Sequence, residues 1–289
     1  MAPEPAGVSD FTGDVLAWGV PRLRDLPWRH TRDPWAVLVS EVMLQQTQVA
    51  RVIPRWHSFL ERFPTPAACA AAPLGDVLRE WQGLGYPRRA RNLHATAQQV
   101  TELGGFPRDL PGLLALPGIG AYTARAVMAF AFELDAAVVD TNIARVYARV
   151  AGERLAPRQV QSIADEHCPS GDAWAWNQCL MDLGAVLCRP RDPGCDECPV
   201  RGRCDWGGDA TRPDPAVGSS GVSTKQARFD GSDRQARGRL MKALNDGPVA
   251  VADVAQVMQR DTDTATRLLQ DLVADGLVDL HATTVALPA

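Results

Sequence analysis

The chain has 289 residues, 46% of them apolar and 22% charged, with a formal net charge of −4. Such a composition builds the core of one large domain or two smaller ones, and it excludes both a disordered chain and a uniformly basic nucleic-acid binder. No apolar run approaches the roughly twenty residues of a membrane-spanning helix.

Helical periodicity dominates and alternating stretches are scarce before residue 277, so the fold class is mostly α. The first ten residues read as a loose tail without a targeting signal, which places the chain in the cytoplasm. Asp33-Pro34 pairs an N-cap with a first-turn proline and opens a helix through Val37, Leu38, Val42 and Leu44. A second helix follows over about 48–63, and others over 74–83, 88–103, 110–116, 121–132, 142–151, 157–167 and 172–187. From Gly207-Gly208 to Thr224 the chain turns rich in Gly, Pro, Ser and Asp, and residues 206–224 are assigned to a flexible linker. Beyond it, helices at 231–245, 250–259 and 262–275 precede a terminal hairpin of 276–280 with 284–287. Three helices and a hairpin suggest a small winged-helix-like module over 225–289.

Cys188, Cys195, Cys198 and Cys204 stand at C-x6-C-x2-C-x5-C in a stretch broken by Pro190, Pro193, Gly194, Pro199 and Gly202. The segment cannot bury an apolar core of its own, and a metal centre supplies the missing organisation. Structural zinc favours two C-x2-C knuckles and only one is present, which makes a [4Fe–4S] cluster the better assignment and zinc its rival. Cys69, Cys168 and Cys179 have no ligand spacing and are expected to pack as small apolar residues.

Leu116-Pro-Gly-Ile-Gly120 separates two helical patterns, and glycines at a helix start leave backbone N–H groups aimed outward to hold a phosphate. Twenty residues on, the apolar run 136–139 delivers Asp140, which on its own reads as an N-cap. Glu41 has Val37, Leu38 and Leu44 as helical neighbours, so its carboxyl is expected to be buried, with a raised pKa suited to a general acid; rotation to solvent or an arginine partner is the alternative. Arg88, Arg89 and Arg91 crowd behind a Gly-x-Gly turn as a local basic face for phosphate. The only two lysines are Lys225 and Lys242, which leaves no lysine for Schiff-base chemistry in the first 224 residues.

Taken together, Leu26-Pro-Trp-Arg29, the segment 40–49 (SEVMLQQTQV), Gly83-Leu-Gly-Tyr86, Leu116–Gly120, Val139-Asp-Thr-Asn142 and the four cysteines resemble the iron–sulfur DNA glycosylases of the helix-hairpin-helix superfamily, and within it the adenine DNA glycosylases of the MutY type. The resemblance covers about residues 14–206. It implies a two-lobed HhH-GPD glycosylase domain over 1–205, with a six-helix lobe at about 29–140 and a cluster lobe from 1–28 plus 141–205. It further implies a monofunctional enzyme of base excision repair that excises adenine opposite 8-oxoguanine or guanine in double-stranded DNA, acting as a monomer at the bacterial nucleoid. Glu41 is then the acid that protonates adenine N7, Asp140 the carboxylate that supports the oxocarbenium-like sugar, and Asn142 and Tyr122 its neighbours. Tyr122 stands where bifunctional relatives carry a nucleophilic lysine. Leu26, Trp28, Arg29 and Asp182 match positions around the extruded base, Gln46 one that enters the helix stack, Gly118 and Gly120 the phosphate-holding turn, and Tyr86 a further DNA-binding position. Arg189, Arg191, Arg201 and Arg203 of the cysteine loop are expected to meet phosphates.

Two departures stand out. Pro87 replaces a second tyrosine after Tyr86, and residues 225–289 are too short for the Nudix-like domain usual in the family; short tails of this kind resemble its actinobacterial branch. A thymine or uracil mismatch glycosylase on the same scaffold, or a non-catalytic DNA-binding iron–sulfur protein, are the alternative readings. A placed acid at Glu41 favours a purine, since a pyrimidine has no N7.

Overall fold

A computed structural model of the chain describes residues 6–219 and 228–289, the side chains from residue 11 onward. Its helices are α1 (Ala6–Gly19), α2 (Pro34–Leu44), α3 (Val49–Arg62), α4 (Pro66–Ala71), α5 (Leu74–Glu80), α6 (Arg88–Glu102), α7 (Leu110–Leu114), α8 (Ala121–Phe130), α9 (Thr141–Ala151), α10 (Pro157–His167), α11 (Ala173–Val186), α12 (Asp233–Asp246), α13 (Val254–Met258) and α14 (Thr262–Ala274). None is long and apolar enough to cross a membrane. Short strands β1 (Val249–Ala250), β2 (Asp279–Leu280) and β3 (Thr284–Ala286) and five short 3-10 turns, one of them Pro27–His30, complete the described elements. The mostly helical class expected from the periodicity is what the chain adopts.

The chain divides into two compact units. The first comprises Met1–Val37, Arg108–Leu114 and Ile119–Thr224. Its core gathers Phe11 and Val15 of α1, Ile143, Val146 and Tyr147 of α9, Val160 of α10, and Trp176, Leu180 and Leu183 of α11. Phe11 meets Trp176 edge-on at 5.8 Å and His167 at 5.1 Å. This packing explains why the start of the chain is helical from Ala6 where a tail was expected. Phe11 and Val15 lie one turn apart on a single face, and burial of that face stabilises a helix that carries no strong capping signal.

The second unit comprises Leu38–Pro107, Ala115–Gly118 and Lys225–Ala289. Phe59 of α3 packs against Phe63 at 5.1 Å and Trp81 at 6.0 Å, and Val52, Val77, Leu93 and Ala97 of the same unit are buried. The periodicity missed α4, a single turn that Thr65 caps by accepting from Ala68 N at 3.1 Å. In the same unit, Leu240, Leu244, Met258, Leu268, Leu272 and Val285 form the core of the C-terminal module. The expected hairpin is β2 with β3, and β1 adds to it, giving a three-stranded antiparallel sheet in the order β1-β3-β2 with Val249 opposite Val285 and Leu280 opposite Val285.

The linker assignment needs correction. Residues 206–219 pack onto the first unit: Trp206, Ala216 and Ser219 are buried, and Asp214 pairs with Arg149 at 2.7 Å. A Gly-, Pro- and Asp-rich composition reads as a linker, yet here it supplies turns that follow a folded surface. Residues 220–224 of the assigned linker lie outside the described residues.

Candidate active site and cysteine centre

Asp140 initiates α9. Its Oδ1 accepts from Ile143 N at 2.7 Å, the bond of an N-cap, while Oδ2 accepts from Asn142 Nδ2 at 2.7 Å. Burial pushes this carboxyl above the usual range, and the bonds from Ile143 and Asn142 and the nearby Arg145 charge offset only part of that push. Asn142 is fixed in turn, since its Oδ1 accepts from Arg145 Nη2 at 2.8 Å. Arg145 continues inward: Nη2 donates to Gly184 O at 2.7 Å and Nε to Cys188 O at 2.7 Å. Gly184 permits this approach, because a Cβ there would lie 2.7 Å from the Cβ of Asn142. Sequence reasoning named neither Arg145 nor Gly184. The signal was present only as a basic residue one turn after Asn142 on a helix that otherwise buries its face.

Arg29 and Asp182 meet as a buried bidentate pair, Nη1 to Oδ2 at 2.8 Å and Nη2 to Oδ1 at 2.9 Å. Arg24 adds its Nε to Oδ1 at 2.6 Å and its backbone N to Oδ2 at 3.0 Å. Burial works to raise the Asp182 carboxyl, but the Arg29 bonds and the two cationic charges prevail and hold it below the usual range. The Arg29 Nε is buried with no hydrogen-bond partner among the described residues, an unused donor beside buried Leu26 and Trp28 of the same short turn. Tyr122 is half-buried at the second position of α8. The structure thus brings Asp140 together with Asn142, and Arg29 together with Asp182.

Glu41 belongs to the second unit. It is 5% exposed on α2, where Leu38, Val39, Val42 and Met43 are buried as well, so the carboxyl does not turn to solvent. Just past α2, Gln46 is exposed with φ of 56°, and Tyr86, 36% exposed, has φ of 50°. Two non-glycine residues in the left-handed region mark loops held in strained conformations by their surroundings. Arg89 does the holding. Its Nη1 donates to Val42 O at 2.6 Å, Met43 O at 3.1 Å and Gln45 O at 2.7 Å, and its Nη2 to Leu84 O at 3.0 Å and Gly85 O at 3.1 Å. One guanidinium therefore closes the end of α2 and the Gly-Leu-Gly-Tyr turn together.

The basic face expected of Arg88, Arg89 and Arg91 is not an open one. Arg88 Nε pairs with Asp275 at 2.5 Å, Arg91 donates to the Asp275 carbonyl, and Arg89 is committed to the carbonyls just described. Residues nearly two hundred positions away in the sequence provide the partners, which a local reading of charge cannot find. In the glycine-rich turn the two glycines differ. Gly118 has φ of 73° and no room for a Cβ, which would meet Asn92 at 2.6 Å, whereas nothing lies within 4 Å of a Cβ at Gly120, the N-cap of α8. Gly118 shapes the turn, and Gly120 leaves the start of α8 open to an approaching group.

Cys188, Cys195, Cys198 and Cys204 line one cavity together with Arg149, Leu187, Val200 and Trp206. Arg149 Nη1 donates to Cys188 Sγ at 3.3 Å and Gly207 N to Cys204 Sγ at 3.4 Å. Burial pushes all four thiols up, Cys198 to about 11, so each keeps its proton at neutral pH until a metal cation displaces it. Among the described residues no three His, Cys, Asp or Glu side chains gather where a single ion would sit. Four thiols around a cavity, with N–H donors already aimed at two of the sulfurs, suit a cluster that takes one thiolate at each iron. Cys69 and Cys179 are fully buried, their thiols pushed to about 12 and about 11, in keeping with the small apolar role expected of them. Of the loop arginines, Arg203 pairs with Asp14 at 3.0 Å, Arg201 with Asp196, and Arg189 donates to Asp192 O at 2.6 Å; all four, Arg191 included, are exposed.

Residues 39–170 match the HhH-GPD superfamily base excision DNA repair protein family. An adenine DNA glycosylase of Mycolicibacterium smegmatis is 42% identical over 278 residues, 93% of this chain and 92% of its own length, a share too large to leave out the C-terminal module. The human adenine DNA glycosylase is 41% identical but over 69% of this chain and 40% of its own length. A solved thermostable thymine-DNA glycosylase superposes with a TM-score of 0.65 at 31% identity, over 70% of this chain and 96% of that one. The buried carboxyl on α2, the capping Asp140, the glycine turn and the cysteine centre thus stand on a shared scaffold, and the chain belongs to the adenine DNA glycosylases within the HhH-GPD superfamily.

Proposed function

We propose that this protein is a monofunctional adenine DNA glycosylase that excises adenine opposite 8-oxoguanine or guanine during base excision repair. The observation that carries the reading is the pair of carboxyl groups on this scaffold, Glu41 buried on α2 and Asp140 fixed at the start of α9. Glu41 donates its proton to N7 of an extruded adenine. The bond from C1′ to N9 breaks with its electron pair passing to the base, and the cationic sugar is stabilised by the Asp140 carboxylate, which Asn142 orients. Water adds to C1′, and the proton it releases restores Glu41. Leu26, Trp28 and Arg29 receive the base, whose ring nitrogens offer acceptors to the unused Arg29 Nε. Asp182 keeps that guanidinium in place. Tyr122, at the start of α8, has no amine with which to form a Schiff base, so strand cleavage by that route is not expected.

Cys188, Cys195, Cys198 and Cys204 are the residues that would hold a [4Fe–4S] cluster, which when bound cross-links the loop that follows α11. Gln46 and Tyr86 enter the duplex, and Gly118 and Gly120 present backbone N–H groups to a phosphate. The protein is assigned as a monomer of the bacterial cytoplasm, with double-stranded DNA as its partner.

Single-turnover base release tests this reading, with A opposite 8-oxoguanine, A opposite G, and T opposite G as substrates and Glu41→Gln and Asp140→Asn as controls. Adenine release that disappears in both variants supports it. Release of thymine in place of adenine would overturn it in favour of a thymine-DNA glycosylase, the activity the solved relative is named for.

A further inference from the structure

The C-terminal module is seated on the same unit that carries Tyr86. Asp275 takes Arg88 and Arg91, Gly75 N donates to Pro288 O at 2.8 Å, and a Cβ at Gly75 would lie 2.5 Å from that oxygen. From this seat the module sends Arg234 of α12 to Tyr86, where Nη1 donates to the phenol oxygen at 3.2 Å. The same guanidinium lies 5.2 Å from the ring centre of Phe229. Phe229 is 50% exposed, and its turn is anchored by Ser232 Oγ donating to Phe229 O at 2.6 Å and by Arg260 donating to Gly231 O at 2.6 Å. Arg89 also lies 5.5 Å from the Tyr86 ring centre. Two exposed aromatic rings, joined through one arginine and each fixed by its own backbone, offer π-faces and a cation to a flat aromatic ligand.

We propose that Phe229 and Arg234 extend Tyr86 into a stacking site for a nucleobase displaced from the duplex beside the excised adenine. This rests on the reading of Tyr86 as a residue that enters DNA. Phe229 supplies a second π-face, and Arg234 is a positioning residue that sets the angle of Tyr86. The site gives the short module a part in reading the mispair that depends on the base, whereas contact with phosphates alone does not.

The test measures affinity of the full-length protein, cluster bound, for a duplex with A opposite 8-oxoguanine and for the fully paired duplex of the same sequence. Phe229→Ala is expected to weaken the mispaired complex roughly tenfold, the effect of losing one stacked base, and to leave the paired complex within about twofold. Phe229→Tyr should restore it. Arg234→Ala and Tyr86→Phe should each lower the ratio of the two affinities, and their double variant should lower it no further than Arg234→Ala alone, because Tyr86→Phe removes only a hydrogen bond that Arg234→Ala already removes. Equal weakening of both duplexes by Phe229→Ala, or additive losses in the double variant, would overturn the proposal. Tyr86→Ala with unchanged affinity would instead overturn the underlying reading of Tyr86. A thermal melt of each variant that matches the parent shows that the ratio reports binding.

Discussion

Replacing Asp140 with asparagine separates the two jobs this residue holds. As an N-cap, Asn serves about as well as Asp, so the bond from Ile143 N is retained. The Asn142 bond to Oδ2 is disturbed, since two amide groups then compete for one orientation, which costs about 1 kcal/mol. Against this stands the burial of charge. A carboxyl whose folded pKa is raised contributes stability below its ordinary pKa and loses it as the pH rises through the folded value. Wherever the pH is high enough to ionise it, the buried Asp140 charge is therefore a burden that asparagine removes. The two effects oppose each other, and Asp140→Asn is expected to melt within about 4 °C of the parent. Asp140→Ala, which loses the cap, should fall lower by about 1 kcal/mol. Adenine release is expected to drop by at least about a hundredfold in both, because the sugar cation loses its counter-charge. Differential scanning calorimetry with single-turnover kinetics on the same preparations decides the matter. An asparagine variant that releases adenine at the parental rate, or that melts as low as the alanine variant, would refute the separation of roles.

The same raised carboxyl sets the acid limb of the pH–rate profile, which should lie above the ordinary carboxylate range; Asn142→Ala removes a bond that lowers it and should move the limb to higher pH, and an unmoved limb counts against Asp140 as its source. Asp182→Ala strands Arg29 in the interior and should destabilise the protein by about 3–5 kcal/mol, measured by chemical denaturation, and a loss under about 1 kcal/mol would show that the pair is not the buried one described. Converting Arg201 and Arg203 to alanine should flatten the slope of log affinity against log salt by about 1.8, the release of two phosphate contacts, because their partners Asp196 and Asp14 lie on exposed surface and bind them weakly. An unchanged slope would leave both arginines as solvated loop charges.

Whatever depends on short sequence spacing was legible beforehand. The capping role of Asp140, the burial of Glu41 among Val and Leu, and the grouping of four cysteines all follow from neighbours within a few turns. Contacts across the chain were not. The pairing of Arg88 and Arg91 with Asp275 joins residues whose intervening sequence carries no sign of the meeting. The helix at the start of the chain needed Trp176 and His167 as partners, and residues 206–219 read as a linker because turns that hug a surface have the same composition as turns in solvent. Arg89 was noticed as charge and misread as surface. Its environment lowers its pKa to about 10, still cationic at neutral pH, and only the folded loops reveal that its fork is spent on carbonyls.

The composition of the second unit also bears on the order in which the protein can be made. Residues 38–107 emerge from the ribosome early, but Gly75, Tyr86, Arg88 and Arg91 find their partners in residues 234–288. At ordinary rates of synthesis, α6 waits roughly ten to forty seconds for the last of them. Throughout that interval the first-made lobe lacks its final covering while the cysteine-bearing unit is already being completed. The first unit therefore has all its sequence once residue 224 is made while the second still awaits its last segment, and a nascent chain stalled before Asp275 would leave Arg88 and Arg91 without that partner.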